Sequence, residues 1–84
     1  MEPIYADDYL SRFPDGTVQI ESIYFDDWMT EEDREYWSYL LEALNAIKLA
    51  EGYENSPSQL RNLKTAFENI EGTMIDNFGG SPFE

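Results

Sequence analysis

The side chains most able to do chemistry in this sequence are its carboxylates. Eighteen Asp and Glu stand against five Lys and Arg in 84 residues, with no His and no Cys. Without imidazole or thiol there is no Ser-His-Asp or Cys-His nucleophile, no imidazole or thiolate metal ligand and no disulfide. Three uses of carboxylates remain: holding a cation, working as an acid–base pair, or presenting negative charge to a partner. An EF-hand loop needs oxygens at positions 1, 3 and 5, Gly at 6 and Glu at 12. Starts at Asp7, Asp15, Asp26 and Asp33 all fail that pattern. Paired carboxylates for glycoside hydrolysis need a cleft that buries a sugar, and a chain this short has little volume for one. Gly79-Gly80-Ser81 has no Lys and no helix after it, so it is no phosphate loop. The chain is therefore expected not to be an enzyme and to need no metal or cofactor.

Charge presentation is the use that the spacing supports. Residues 1–35 hold eleven acids and two bases, whereas 36–84 hold seven and three. From Glu21 to Glu35 there are seven acids and one base. Complementing a helix dipole accounts for Glu31, Glu32 and Asp33. It does not account for Asp7-Asp8, for Asp26-Asp27, or for Glu31 and Glu35 at i, i+4, where like charges repel. Solubility needs a net charge of only about 2 to 8, and this chain carries −13. A field held against that self-repulsion implies a partner of opposite charge. The expected partner-binding residues are Asp7, Asp8, Asp26, Asp27, Glu31, Glu32 and Glu35. Glu42 extends the stripe along the same helix. Trp28, beside Asp26-Asp27, reads equally as an apolar anchor for the partner and as a lid on the core.

Acids on a rigid scaffold can imitate the phosphates of DNA. A basic nucleic-acid channel on another protein would accept such a surface, in a fast and salt-sensitive encounter. In length and charge the chain resembles the small acidic inhibitors that phages make against host restriction and CRISPR nucleases. That resemblance implies a DNA mimic of anti-CRISPR or anti-restriction type, acting on a bacterial defence nuclease or its complex. The chain also resembles the short, acidic, Tyr-rich immunity proteins and antitoxins that cover a nuclease toxin. A third reading is an acidic adaptor domain with no inhibitory role. Direct nucleic-acid binding is not expected, because it requires a basic surface.

These charges need a fold to hold them. Hydrophobic residues make up 42 % and aromatics 15 %, well above what a disordered acidic segment carries. The expected fold is a small α+β single domain, an N-terminal β-hairpin packed on an antiparallel helix pair (ββαα). Pro14-Asp15-Gly16 is turn chemistry. Thr17-Val18-Gln19-Ile20-Glu21 alternates polar and apolar, as a half-buried strand does. The hairpin is placed at about 8–25, with a phase change near Ser22 to Phe25 that suggests a bulge.

Thr30 with Asp33 three residues on forms a capping box. Tyr36, Trp37, Leu40, Leu41, Ala43, Leu44 and Ile47 then recur at helical spacing, and Gly52 supplies a stop. Ser38, Glu42 and Asn45 fall on the opposite face. That helix is placed at 31–51. Ser56-Pro57-Ser58-Gln59 starts a second helix at 57–77, with Ser56 as N-cap. Its stripe is Leu60, Leu63, Phe67, Ile70 and Met74. The tail, 79–84, is expected to be loose.

The N-terminus lacks the basic-then-apolar order of a signal peptide. No apolar run approaches the length of a membrane span, and an anionic leaflet would repel the chain. The expected location is the cytoplasm of a bacterial host.

Overall fold

A computed structural model describes residues 10–20 and 30–84. They form a two-stranded antiparallel hairpin followed by two helices, the α+β order ββαα. Strand β1 is Leu10–Arg12 and β2 is Val18–Ile20, paired Leu10↔Ile20, Ser11↔Gln19 and Arg12↔Val18. The continuation of β2 beyond Ile20 and the suggested bulge lie outside the described residues.

The turn closes by local hydrogen bonds. Phe13 N–H donates to Thr17 O and Gly16 N–H to Phe13 O, both at 3.0 Å. Gly16 sits at φ 90°, a conformation that glycine alone adopts at no steric cost. The Asp15 carboxylate accepts from Thr17 N–H at 2.9 Å and from Thr17 Oγ1 at 2.6 Å.

Helix α1 is Glu31–Glu51 and α2 is Pro57–Phe78. The Tyr36 ring lies 5.9 Å from Phe78, while Lys48 lies over Phe67. The start of α1 therefore meets the end of α2, and the pair runs antiparallel. Their seam is the core: Trp37, Leu41 and Leu44 from α1 against Phe67, Met74 and Phe78 from α2. Ile20 brings the hairpin onto that cluster. Burial of this kind supplies about 25 cal/mol per Å² of apolar surface and holds a short hairpin that would be marginal alone.

Three expectations are corrected. The tail is packed. Gly79 turns left-handed at φ 80° and sends the chain back across the core. Ser81 and Pro82 are buried. The Ser81 hydroxyl donates to Glu71 Oε2 at 2.7 Å, and Arg12 Nη2 donates to Pro82 O at 3.2 Å. The Phe83 ring meets the Phe67 ring edge-on at 5.0 Å.

Next, Ser56 occupies the N-cap position of α2 but its side chain makes no capping bond. Its hydroxyl pairs with Ser58 Oγ at 3.2 Å, and its N–H donates to Glu54 Oε1. Pro57 removes one of the unpaired N–H groups at the start of the helix, and its fixed φ suits the first turn.

The last correction concerns Ser38 and Asn45, which are half-buried, whereas Glu42 on the same face is exposed as expected. These residues line a cleft of about 320 Å³ against Val18, Ile20, Trp37 and Leu41. Asn45 ties the two layers together: its Oδ1 accepts from Val18 N–H at 2.9 Å, and its Nδ2 donates to Val18 O at 2.8 Å. The side-chain amide thus does for Val18 what a third strand would do for an edge.

Candidate functional site

The candidate surface is built on α1, so its geometry follows from how that helix starts and which side it buries. Thr30 Oγ1 accepts from Asp33 N–H at 3.1 Å, and Asp33 Oδ2 accepts from Thr30 N–H at 3.4 Å. The capping box satisfies two orphan donors and fixes where the first turn begins. Glu31, Glu32 and Asp33 then occupy the positive end of the helix dipole. With Trp37, Leu41 and Leu44 turned into the core, the opposite side of the helix is committed to solvent.

Glu31, Glu35 and Glu42 all lie on that outward side and are exposed. At 3.6 residues per turn they fall within roughly 40° of one another around the axis. Along the axis their backbones are about 6 Å and then about 10 Å apart. Glu32 is exposed as well, but points about a quarter turn away, on the side of Tyr39. Asp7, Asp8, Asp26, Asp27 and Trp28 lie outside the described residues.

The two bases of α1 lie off this row. Lys48 is turned inward, with Nζ 4.4 Å from the Phe67 ring centre and 3.9 Å from Glu51 Oε2. Arg34 lies on another side of the helix, roughly 60° or more from each of the three glutamates. Elsewhere, Arg12 donates to the tail at Pro82 O. Arg34, three residues on from Glu31, is the cation of α1 nearest the row, and Glu35 and Glu42 lie further round the helix from it.

Sequence reasoning missed the aromatic part of this surface. Tyr36, assigned to the core stripe, is 43 % exposed even though its ring touches Phe78. Tyr39 is 66 % exposed, Leu49 46 % and Tyr53, in the turn after α1, 88 %. A helix whose apolar residues occupy more than one side gives the signal, because a single core seam cannot take them all.

The chemistry open to this surface is recognition by charge and ring contact. Among the described residues there is no group of three or more carboxylates placed to hold a metal ion. No described helix is long and apolar enough to cross a membrane. Fold and surface together define a small ββαα domain with an acidic, tyrosine-bearing helix face. No protein-family model, no curated protein and no solved structure matches the chain.

Proposed function

We propose that this protein is a non-enzymatic inhibitor that occupies a basic nucleic-acid-binding surface of another protein, as a DNA mimic does. The partner class is a bacterial defence nuclease or its complex, which makes the chain an anti-CRISPR or anti-restriction protein of a phage. The observation that carries this reading is the row Glu31, Glu35 and Glu42 on one exposed side of a rigid helix, with no base among them. A rigid scaffold matters, because charges held in place need no ordering when the partner arrives. The whole-chain charge of −13 adds long-range steering toward a basic surface.

One observation favours a second reading. Tyr39 and Tyr53 stand out from the acidic face, and tyrosine is a favoured anchor where shape as well as charge decides binding. An immunity protein or antitoxin covering a nuclease toxin would use both.

The test is capture from a bacterial lysate by the tagged protein at low salt. Elution follows with a salt step of about 0.5 M, where screening acts well inside 10 Å. The eluted protein is then assayed for nucleic-acid binding with and without this chain. One basic nucleic-acid enzyme that loses its DNA or RNA is the expected result. A mixture of abundant basic proteins, none of them displaced from nucleic acid, overturns the reading.

A further inference from the structure

The outward side of α1 has three rows, each stepping by seven residues. The first is Glu35, Glu42 and Leu49, the second Tyr39 and Ala46, with Tyr53 following in the turn beyond the helix, and the third Tyr36, Ala43 and Ala50. A seven-residue step keeps each row nearly parallel to the helix axis, as in a coiled-coil seam. Ala46 and Ala50 are exposed and small, and tyrosines stand at the N-terminal ends of their rows. The result is a shallow trough about 22 Å long from residue 35 to residue 50, at about 1.5 Å per residue. One side of it is acidic and the other apolar. At its edge the Tyr36 ring meets Phe78 of α2; the other core and hairpin contacts of α1 use Trp37, Leu40, Leu41, Leu44, Ile47 and Asn45. Four of the five exposed large apolar side chains among the described residues are Tyr36, Tyr39, Leu49 and Tyr53.

We infer that this trough is a docking site for an amphipathic helix of the partner, apolar along one row and rich in Lys or Arg along the next. The inference rests on the inhibitor reading above and specifies its contact. Small residues let a second helix backbone approach closely, and Tyr36 and Tyr39 close the N-terminal end of the trough. Charge complementarity selects the occupant. Glu35 and Glu42 border the apolar rows, so a facing helix gains by placing cations there. A second copy of this chain would bring its own acids against them, at a net charge of −13 on each copy.

The probe is a fluorescent synthetic peptide of about three heptads, with Leu and Ala on its seam and Lys along one flank. The control peptide has the same composition in scrambled order. Both are titrated against the intact protein by fluorescence anisotropy. The seam peptide should bind at least about tenfold more tightly than the control, the equivalent of about 1.4 kcal/mol. Ala46→Gln with Ala50→Gln fills the trough without changing charge. It should remove that preference, with circular dichroism and melting temperature unchanged. Equal binding of both peptides, binding of neither, or full binding by the variant overturns the inference. So does a dimer in sedimentation velocity that the same variant dissolves, since the trough would then belong to a second copy.

The nucleic-acid displacement assay separates this failure from failure of the inhibitor reading. If the double Gln variant still displaces nucleic acid from the captured enzyme, helix docking falls and inhibition stands. If Glu35→Lys with Glu42→Lys still displaces it, the charge-based reading itself falls.

Discussion

The two helices are nearly the same length, 21 and 22 residues, and each gives three buried side chains to the shared core. Their outward sides differ. Helix α1 carries six acids and two bases, and three of its large apolar side chains are exposed. Helix α2 carries Glu68, Glu71 and Asp76 against Arg61 and Lys64, and none of its large apolar side chains is exposed. Its solvent side is polar and close to neutral, which is what packing alone requires. Of the six acids on α1, Glu31, Glu32 and Asp33 complement the helix dipole and Glu51 meets Lys48, which leaves Glu35 and Glu42 as the excess. The side chains of one helix are explained by packing, the other leaves an acidic and partly apolar side exposed, and the proposed function is placed where burial does not explain composition.

The sharpest way to break that contrast is to reverse equal charge on each helix. Glu35→Lys with Glu42→Lys and Glu68→Lys with Asp76→Lys raise the net charge by the same amount, at exposed positions. Like charges brought together at an interface cost several kcal/mol. The α1 pair should therefore weaken capture of the partner by at least about 100-fold, some 2.7 kcal/mol. The α2 pair should change it only by the modest amount expected from lost steering. Surface plasmon resonance at two salt concentrations measures both. Equal losses from the two pairs would mean that the field is generic and no face is special.

The next effect tests what holds α1 against the hairpin. Asn45→Ala leaves Val18 N–H and C=O without the amide that pairs with them. Orphaning partly buried groups costs about 1–3 kcal/mol each. Urea unfolding should thus show a loss of about 2–4 kcal/mol, with the slope unchanged. Asn45→Asp should recover only part of it, because a carboxylate accepts from Val18 N–H but cannot donate to Val18 O. A variant as stable as the parent would mean that water replaces the amide at no cost.

How far the sequence foretold these features depends on whether the signal was local. The Pro14-Asp15-Gly16 turn, the Thr30 and Asp33 capping box and the Pro57 start are each set by neighbours within three residues. The hairpin and both helices follow from them. Glu31, Glu35 and Glu42 share a side by helical arithmetic alone. Asn45 was misread because one polar residue on a helix looks solvent-facing, and its partner is 27 residues away. Tyr36 was misread because a tyrosine fits the apolar period and also tolerates water. Ser81-Pro82-Phe83 is too short to show a period, yet one ring and one hydroxyl are enough to anchor it. Nothing periodic encodes the partner, so charge and exposure are the only signals that point to one.

A smaller effect separates the two helix starts. Thr30→Ala removes the hydroxyl that accepts from Asp33 N–H. It should cost about 1 kcal/mol of stability. Ser56→Ala removes a hydroxyl that caps nothing, so its cost should be near zero, in contrast to the usual N-cap value of about 1 kcal/mol. Paired thermal melts decide this. An equal loss at both positions would mean that Ser56 caps α2 in solution.

The smallest expected effect lies in the hairpin turn. Two hydrogen bonds from Thr17, the hydroxyl first and the backbone N–H second, stabilise the ionised Asp15 carboxylate and hold its pKa below the ordinary 3.8. A group whose pKa is depressed by folding adds stability that is fully present above its unfolded value. That stability is lost as the pH falls through 3.8 and on through the lower folded value. The contribution is small because Asp15 is open to water, where screening weakens such bonds. Thr17→Val removes the hydroxyl from a buried position and keeps its shape. An NMR titration of the Asp15 carboxyl should then move its midpoint upward toward the ordinary value. An unchanged midpoint would mean that the Thr17 hydroxyl does not hold the Asp15 carboxylate, and that the turn rests on its backbone hydrogen bonds alone.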